Sequence, residues 1–173
     1  NKSSIIKDQK LQKNEFVLAT IHRQENTDDE KKLRSIFLGL EEIHKTHTVI
    51  LPMHPRTKAI LNKLSIHPKI QVIEPVGYYD MLELLKNCSI VITDSGGLQK
   101  EAFFNRKQTI VVRDETEWVE LVSHGFTKVV GGNTKMILQT FDTFKATNKE
   151  FTVDLYGNNV GEKIYQSIYQ LIH

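Results

Sequence analysis

The sequence predicts a three-layer α/β fold, a parallel sheet of about six strands between two layers of helices. Short β-branched or aliphatic runs alternate with longer stretches of helical period, the pattern of a parallel sheet covered on both faces. A length of 173 residues with a 39% hydrophobic share is enough for one compact domain with a real core. The net charge of +2 is too small for a polyanion-binding surface, and no basic run is interleaved with aromatics. Nucleic acid is therefore not expected as a partner. No apolar run approaches the roughly 20 residues of a membrane span, so no membrane contact is expected either. The opening residues show no leader pattern, and the single cysteine, Cys88, excludes an internal disulfide. Both point to a reducing, cytoplasmic setting.

Residues 1–14 are polar, with Ile5, Ile6 and Leu11 too sparse to build a core element; a linker or the start of a fragment is expected there. Glu15 to Ile21 is a buried strand, followed by a loop over His22 to Asn26. Thr27 or Asp28 is placed to cap a helix running to Lys45, whose Leu33, Ile36, Phe37, Leu40 and Ile43 form one apolar stripe. Thr48 to Met53 is the next strand, and Pro55 opens a helix ending near Leu64, proline being harmless in a first turn. Ile70 to Glu74 is a strand, Pro75-Val76-Gly77 a turn, and Tyr78 to Asn87 a helix. Cys88 then precedes the strand Ile90 to Thr93 and reads as small-residue packing, not as a nucleophile. Beyond the next helix come a strand from Thr109 to Arg113, a helix stopping at Gly125, a strand from Lys128 to Val130, and a helix from Thr134 to Lys145. A terminal helix, Gly161 to Ile172, carries Ile164, Ile168, Leu171 and Ile172 on one face.

The strand-to-helix passage Ile90 to Glu101 is the centre of the functional reading. Asp94 or Ser95 can cap the helix, since a short side-chain oxygen accepts an orphan amide of the first turn. Gly96 and Gly97 let a ligand approach the backbone, and free amides backed by the helix dipole favour a phosphate or another anion. Glu101 lies four residues beyond Gly97 on the same face. A carboxylate is a poor phosphate ligand but a good acceptor for a pair of ribose hydroxyls. The physical reading is a nucleotide diphosphate on the helix end with its sugar on Glu101; an ordinary turn with a solvated Glu is the plain alternative.

Right-handed crossovers bring every strand-to-helix loop to one sheet edge, the usual ligand position in such folds. His22-Arg23 and His54-Pro55-Arg56 are expected there, able to neutralise a diphosphate or a second anionic ligand, or else to pair locally, Arg23 with Glu25 or Asp29. The backbone at Val76 and Gly77 is placed to read a base edge, while Tyr78 and Tyr79 simply begin a helix. Glu115, Glu117 and Glu120 invite an acid/base reading, but helix starts favour acidic residues for dipole reasons alone. Trp118 can stack on a base or cap the core. His44, His47, His67, His124 and His173 lack the carboxylate or cysteine spacing of a ligand set, and no metal is expected.

Four segments taken together resemble one family. Thr20-Ile21-His22-Arg23-Gln24-Glu25-Asn26 is similar to its HRxEN signature, and Thr93 to Glu101 to its TDSGGxQxE signature. Arg113-Asp114-Glu115-Thr116-Glu117-Trp118 resembles its RxxTEW segment, and the turn at Tyr156-Gly157-Asn158 its YGxGxA motif. The family is the non-hydrolysing UDP-N-acetylglucosamine 2-epimerases, built as two Rossmann-like halves of a GT-B fold closing over the sugar nucleotide. The resemblance covers the second, UDP-holding half. It implies that residues 15–173 form a Rossmann-like UDP-sugar-binding domain including a terminal crossover helix, completed by an N-terminal half. It further implies that Ser95, Gly96 and Gly97 bind the diphosphate and Glu101 the ribose. His22 would sit against the phosphates, with Arg113 and Glu117 bordering the cleft. The family reaction eliminates UDP to a glycal and re-adds it with inversion at C2. No NAD or other cofactor is implied.

Departures touch the substrate and the tail. Val119 precedes Glu120 where the family often has proline, and His54-Pro55-Arg56-Thr57 stands for an HxNP-type stretch, as in relatives acting on diacetamido-glucuronate sugars. Asn159 replaces the second glycine of the YGxGxA turn and Gly161 its alanine. The apolar face of the terminal helix is expected to be left exposed or to support a homodimer. The rival readings are the nucleotide-binding half of a GT-B glycosyltransferase and a non-catalytic UDP-sugar sensor.

Overall fold

A computed structural model describes residues 3–147, 149–157 and 159–172. Asn158 and His173, which figured in the readings above, lie outside them. Six parallel strands are β1 (Phe16–Thr20), β2 (Thr48–Pro52), β3 (Gln71–Ile73), β4 (Ile90–Thr93), β5 (Gln108–Val111) and β6 (Thr127–Val129). They form one sheet in the order β3-β2-β1-β4-β5-β6. β1 is paired to β2 on one side and to β4 on the other, with Leu18 opposite Ile50 and Val91. The direction of winding reverses at β1 and β4, and the crevice beyond their carboxyl ends is where open α/β sheets bind ligands.

Alternation along each strand divides the core. Val17, Ala19, Val49, Leu51, Ile90, Ile92 and Ile110 face one layer, which is built by α3 (Glu30–His44), α4 (Pro55–Lys63) and α8 (Thr134–Ala146). Phe16, Leu18, Ile50 and Val91 face the other, built by α1 (Ile5–Asp8), α5 (Tyr78–Asn87) and α6 (Gly96–Phe104). Side chains that alternate in this way are what a strand buried on both faces requires. A third cluster joins Phe103, Leu121 and Phe126 next to α7 (Val119–Ser123).

Several local expectations are corrected. The segment before β1 carries α1, and Ile5, Ile6 and Leu11 pack against the second core layer; three apolar residues suffice because α5 supplies the opposing surface. The stretch read as a loop after β1 contains α2 (Gln24–Thr27). Asp29, not Thr27 or Asp28, caps α3, accepting the Lys32 amide at 3.0 Å. Thr27 is buried and Asp28 is drawn to Arg56 at 2.7 Å.

Cys88 is buried, its thiol donating to the Leu85 carbonyl at 3.2 Å, and burial pushes its pKa up to about 12. The terminal helix α9 (Val160–Ile172) has no buried residue, and Ile164, Ile168, Leu171 and Ile172 are all exposed. Among the described residues no helix is long and apolar enough to cross a membrane.

Candidate functional site

The loops after β1, β2, β3 and β4 converge on a cavity of about 360 Å³ at the switch between β1 and β4. Thr20, Ile21 and His22 line it from β1, Pro52 and His54 from β2, and Pro75 and Val76 from β3. Ser95, Gly97, Leu98 and Glu101 line it from α6. Six of the residues singled out in the sequence are thus neighbours: His22, His54, Val76, Ser95, Gly97 and Glu101.

The entry into α6 is shaped for a ligand with acceptor oxygens. Ser95 is its cap, with the Leu98 amide donating to Ser95 Oγ at 3.4 Å, while Asp94 is not a cap at all. The amides of Gly96 and Gly97 open the helix and have no acceptor a turn back within it. A Cβ at Gly97 would meet nothing within 4 Å, because the cavity lies there; at Gly96 it would meet Glu117 Oε1 at 1.9 Å. Gly96 is buried and holds the loop after β5 instead, its carbonyl accepting Trp118 Nε1–H at 2.7 Å.

Asp94 is the residue whose weight the sequence did not reveal. Its side chain is fully buried and accepts the His22 amide at 2.9 and 3.1 Å. It also accepts the Arg23 amide at 2.9 Å and Asn26 Nδ2 at 3.0 Å. His22 Nδ1 lies 3.3 Å from Asp94 Oδ1. Asn26, also buried, donates to the Val112 carbonyl at 3.0 Å, so α2 is tied to two strands at once. Thr20 and Thr93 share a 2.6 Å hydroxyl bond, and the Ser95 amide donates to Thr93 Oγ1 at 2.9 Å. The HRxEN and TDSGG segments are therefore halves of one hydrogen-bonded unit.

A second depression adjoins the cavity through His22 and is lined by Arg23, Gln24, Glu25, Arg56 and Arg113. Arg113 is held by Glu25 at 2.7 Å and Glu117 at 2.8 Å. Burial lowers the Arg113 pKa, but the bonds to both carboxylates outweigh it and leave the group above its ordinary value. Glu117 is held below the usual carboxylate range by a backbone hydrogen bond, with Arg113 adding to the effect against desolvation. The alternative pairing of Arg23 with Glu25 or Asp29 does not form: Glu25 is taken by Arg113 and Asp29 caps α3. Arg56 bonds to Asp28 at 2.7 Å. Gly96 and Glu117 line neither cavity.

The remaining alternatives resolve locally. Trp118 packs against the third cluster, with Lys100 Nζ 4.7 Å from its ring, and does not line the cavity. Glu120 accepts Tyr156 Oη–H at 2.8 Å and Glu115 is exposed. Tyr78 and Tyr79 begin α5. Among the described residues, no group of three or more His, Cys, Asp or Glu is arranged to hold a metal.

A family model described as UDP-N-acetylglucosamine 2-epimerase matches residues 1–169. A Pseudomonas aeruginosa UDP-2,3-diacetamido-2,3-dideoxy-D-glucuronate 2-epimerase is 46% identical over 143 residues, covering 82% of this chain and 40% of that protein. A UDP-N-acetylglucosamine 2-epimerase homolog from Methanococcus maripaludis is 35% identical over 173 residues, covering 96% of this chain and 48% of its own. The Methanocaldococcus jannaschii UDP-GlcNAc 2-epimerase, solved in complex with UDP-GlcNAc and UDP, superposes with a TM-score of 0.84 at 32% identity. That match covers 98% of this chain and 49% of the other. The chain thus spans about half the length of the relatives it matches.

Proposed function

Since the chain belongs to the UDP-N-acetylglucosamine 2-epimerase family, we propose that it is the UDP-holding half of such an enzyme. The observation that carries this reading is the meeting of His22, Val76, Ser95, Gly97 and Glu101 in one cavity at the switch point. The open amides of α6, with Ser95, receive the diphosphate; His22 faces it from β1. Glu101 accepts the two ribose hydroxyls, and the backbone at Val76 meets the base. Gly96, Arg113 and Glu117 act one step removed, fixing the loop after β5 beside α6. Arg23 and His54 border the sugar end.

In the reaction the C2 proton and the C1–O bond to UDP are lost together, giving a glycal. UDP then returns to C1 as a proton returns to the other face of C2. This chain contributes to that sequence by holding UDP before, during and after its departure. A partner half supplies the groups that move the C2 proton, since Glu117 and Glu120 are already partnered. The single buried Cys88 fits a reducing cytoplasm as the place of action.

A second reading concerns the sugar. In the adjoining depression Arg113 is paired with Glu25 and Glu117 and Arg56 with Asp28, which leaves Arg23 to meet a sugar that carries its own carboxylate, as the Pseudomonas relative's name indicates for that protein. Calorimetry with uridine, UDP, UDP-N-acetylglucosamine and its 6-carboxylate analogue separates these readings. UDP is expected to bind at least about tenfold tighter than uridine, as loss of charge-assisted bonds dictates. Glu101→Gln is expected to weaken UDP but not its deoxyribose analogues. Equal affinity for UDP and uridine would remove the phosphate cradle. A carboxylate sugar that binds no better than the neutral one would remove the second reading.

A further inference from the structure

Asp94 does more than join two loops. Its Oδ2 has three donors, the amides of His22 and Arg23 and Asn26 Nδ2, all at 2.9–3.0 Å. Oδ1 also takes the His22 amide, at 3.1 Å, and lies within ion-pair distance of the His22 ring, 3.3 Å from Nδ1. The carboxylate cannot turn away, because it is fully buried and fastened by backbone donors. An imidazole nitrogen beside a fixed acceptor keeps its proton, and this decides the state of the other nitrogen. We propose that Asp94 is a positioning residue for His22, accepting Nδ1–H so that Nε2 is a bare acceptor in the neutral ring and donates to a phosphoryl oxygen only when the ring carries both protons. The inference rests on the diphosphate reading of the cavity.

The consequence is that capture of the diphosphate by His22 is coupled to uptake of a proton by the ring. The same group holds a positive charge as UDP departs with its negative one, which is the arrangement that stabilises a leaving diphosphate. Other charged or titratable groups face His22 and define the controls. The His54 ring lies 5.7 Å away, centroid to centroid. Glu101 shares the cavity, and Arg23, Glu25, Arg56 and Arg113 share the adjoining depression.

Asp94→Asn is the informative change. The three donors at Oδ2 keep the amide oxygen there, so the NH₂ replaces Oδ1 opposite Nδ1. Nδ1 becomes an acceptor and the neutral proton moves to Nε2, as happens when a triad aspartate is replaced by asparagine. Nitrogen-15 NMR of the ligand-free chain should show the neutral His22 ring protonated on Nδ1 in the parent and on Nε2 in Asp94→Asn.

Calorimetry should use UDP-N-acetylglucosamine, whose phosphodiesters do not titrate near neutrality. The parent affinity is expected to fall about tenfold as rising pH removes the second proton of the ring, one charged hydrogen bond being lost. In Asp94→Asn the neutral ring still donates, and the step should shrink below about threefold. His22→Gln, a donor without a titration, should show no step. A parent neutral ring protonated on Nε2, a step undiminished in Asp94→Asn, or a step retained in His22→Gln would each overturn the proposal. Should Asp94→Asn fail to fold, the parent tautomer and the His22→Gln profile decide alone. If the sugar nucleotide binds no better than uridine at any pH, the diphosphate reading falls. The NMR result still judges the contact between Asp94 and His22.

Discussion

Gly96 and Gly97 are adjacent, yet glycine answers a different need at each. At Gly96 the space is taken by Glu117, whereas at Gly97 the space is empty and belongs to the cavity. Gly97→Ala should therefore separate stability from binding. Alanine favours a helix over glycine by up to about 1 kcal/mol, so thermal denaturation should shift upward. The new methyl stands in the cavity wall, and UDP affinity should drop at least about tenfold, the equivalent of one charged hydrogen bond. Unchanged UDP affinity would remove Gly97 from the cradle. At this scale the sequence was legible where a residue's neighbours are local: Ser95 as a cap, Cys88 as packing, Tyr78 and Tyr79 as a helix start. It was silent on Asp94, whose partners His22 and Asn26 are 72 and 68 residues away. A side chain with the right shape for a cap gives no sign that it is used elsewhere. Trp118 was undecided for the same reason, since its partner is the Gly96 carbonyl 22 residues upstream.

The short helix α2 is an element that exists because of its contacts. Four residues hold too few internal bonds to overcome the cost of nucleating a helix. What holds them is Asn26, bound to Asp94 and to the Val112 carbonyl. Removing it leaves buried acceptors short of donors, so Asn26→Ala should lower the free energy of unfolding in urea by about 1–3 kcal/mol. Asn26→Asp should cost more, because it faces a second carboxylate onto Asp94 inside the protein. Equal losses for the two variants would show that only the side-chain volume matters. No periodicity could have announced α2, whereas α3, α5 and α8 were readable from apolar spacing alone. The exchange of Asn159 for glycine in the tail is likewise explained only by the backbone. Its φ is 56°, a left-handed value that asparagine tolerates better than most residues.

A parallel sheet of about six strands was legible because strand and helix alternate along the chain; its strand order was not, and the winding reversal that puts the crevice where the motifs meet belongs to the structure. The edge is one-sided: the cavity-lining groups named above lie at the carboxyl ends of the strands. Incubated with UDP-N-acetylglucosamine in deuterated water, this chain alone should bind the ligand without placing label at C2. An acid and a base must lie within hydrogen-bond reach of that carbon, and an open crevice does not exclude water. Label that appears with the purified chain would move the proton-transfer groups into this half. The seam between β1 and β4 has a further consequence for the chain in the making. Its hydroxyl clasp joins Thr20 to Thr93 across 73 residues, and closing so long a loop must precede the contacts that reward it. A nascent chain leaving the ribosome therefore carries the His22 side of the crevice long before α6 exists to complete it. On the proposed reading nucleotide capture waits for Glu101 to emerge, which makes binding a report that β4 has joined β1.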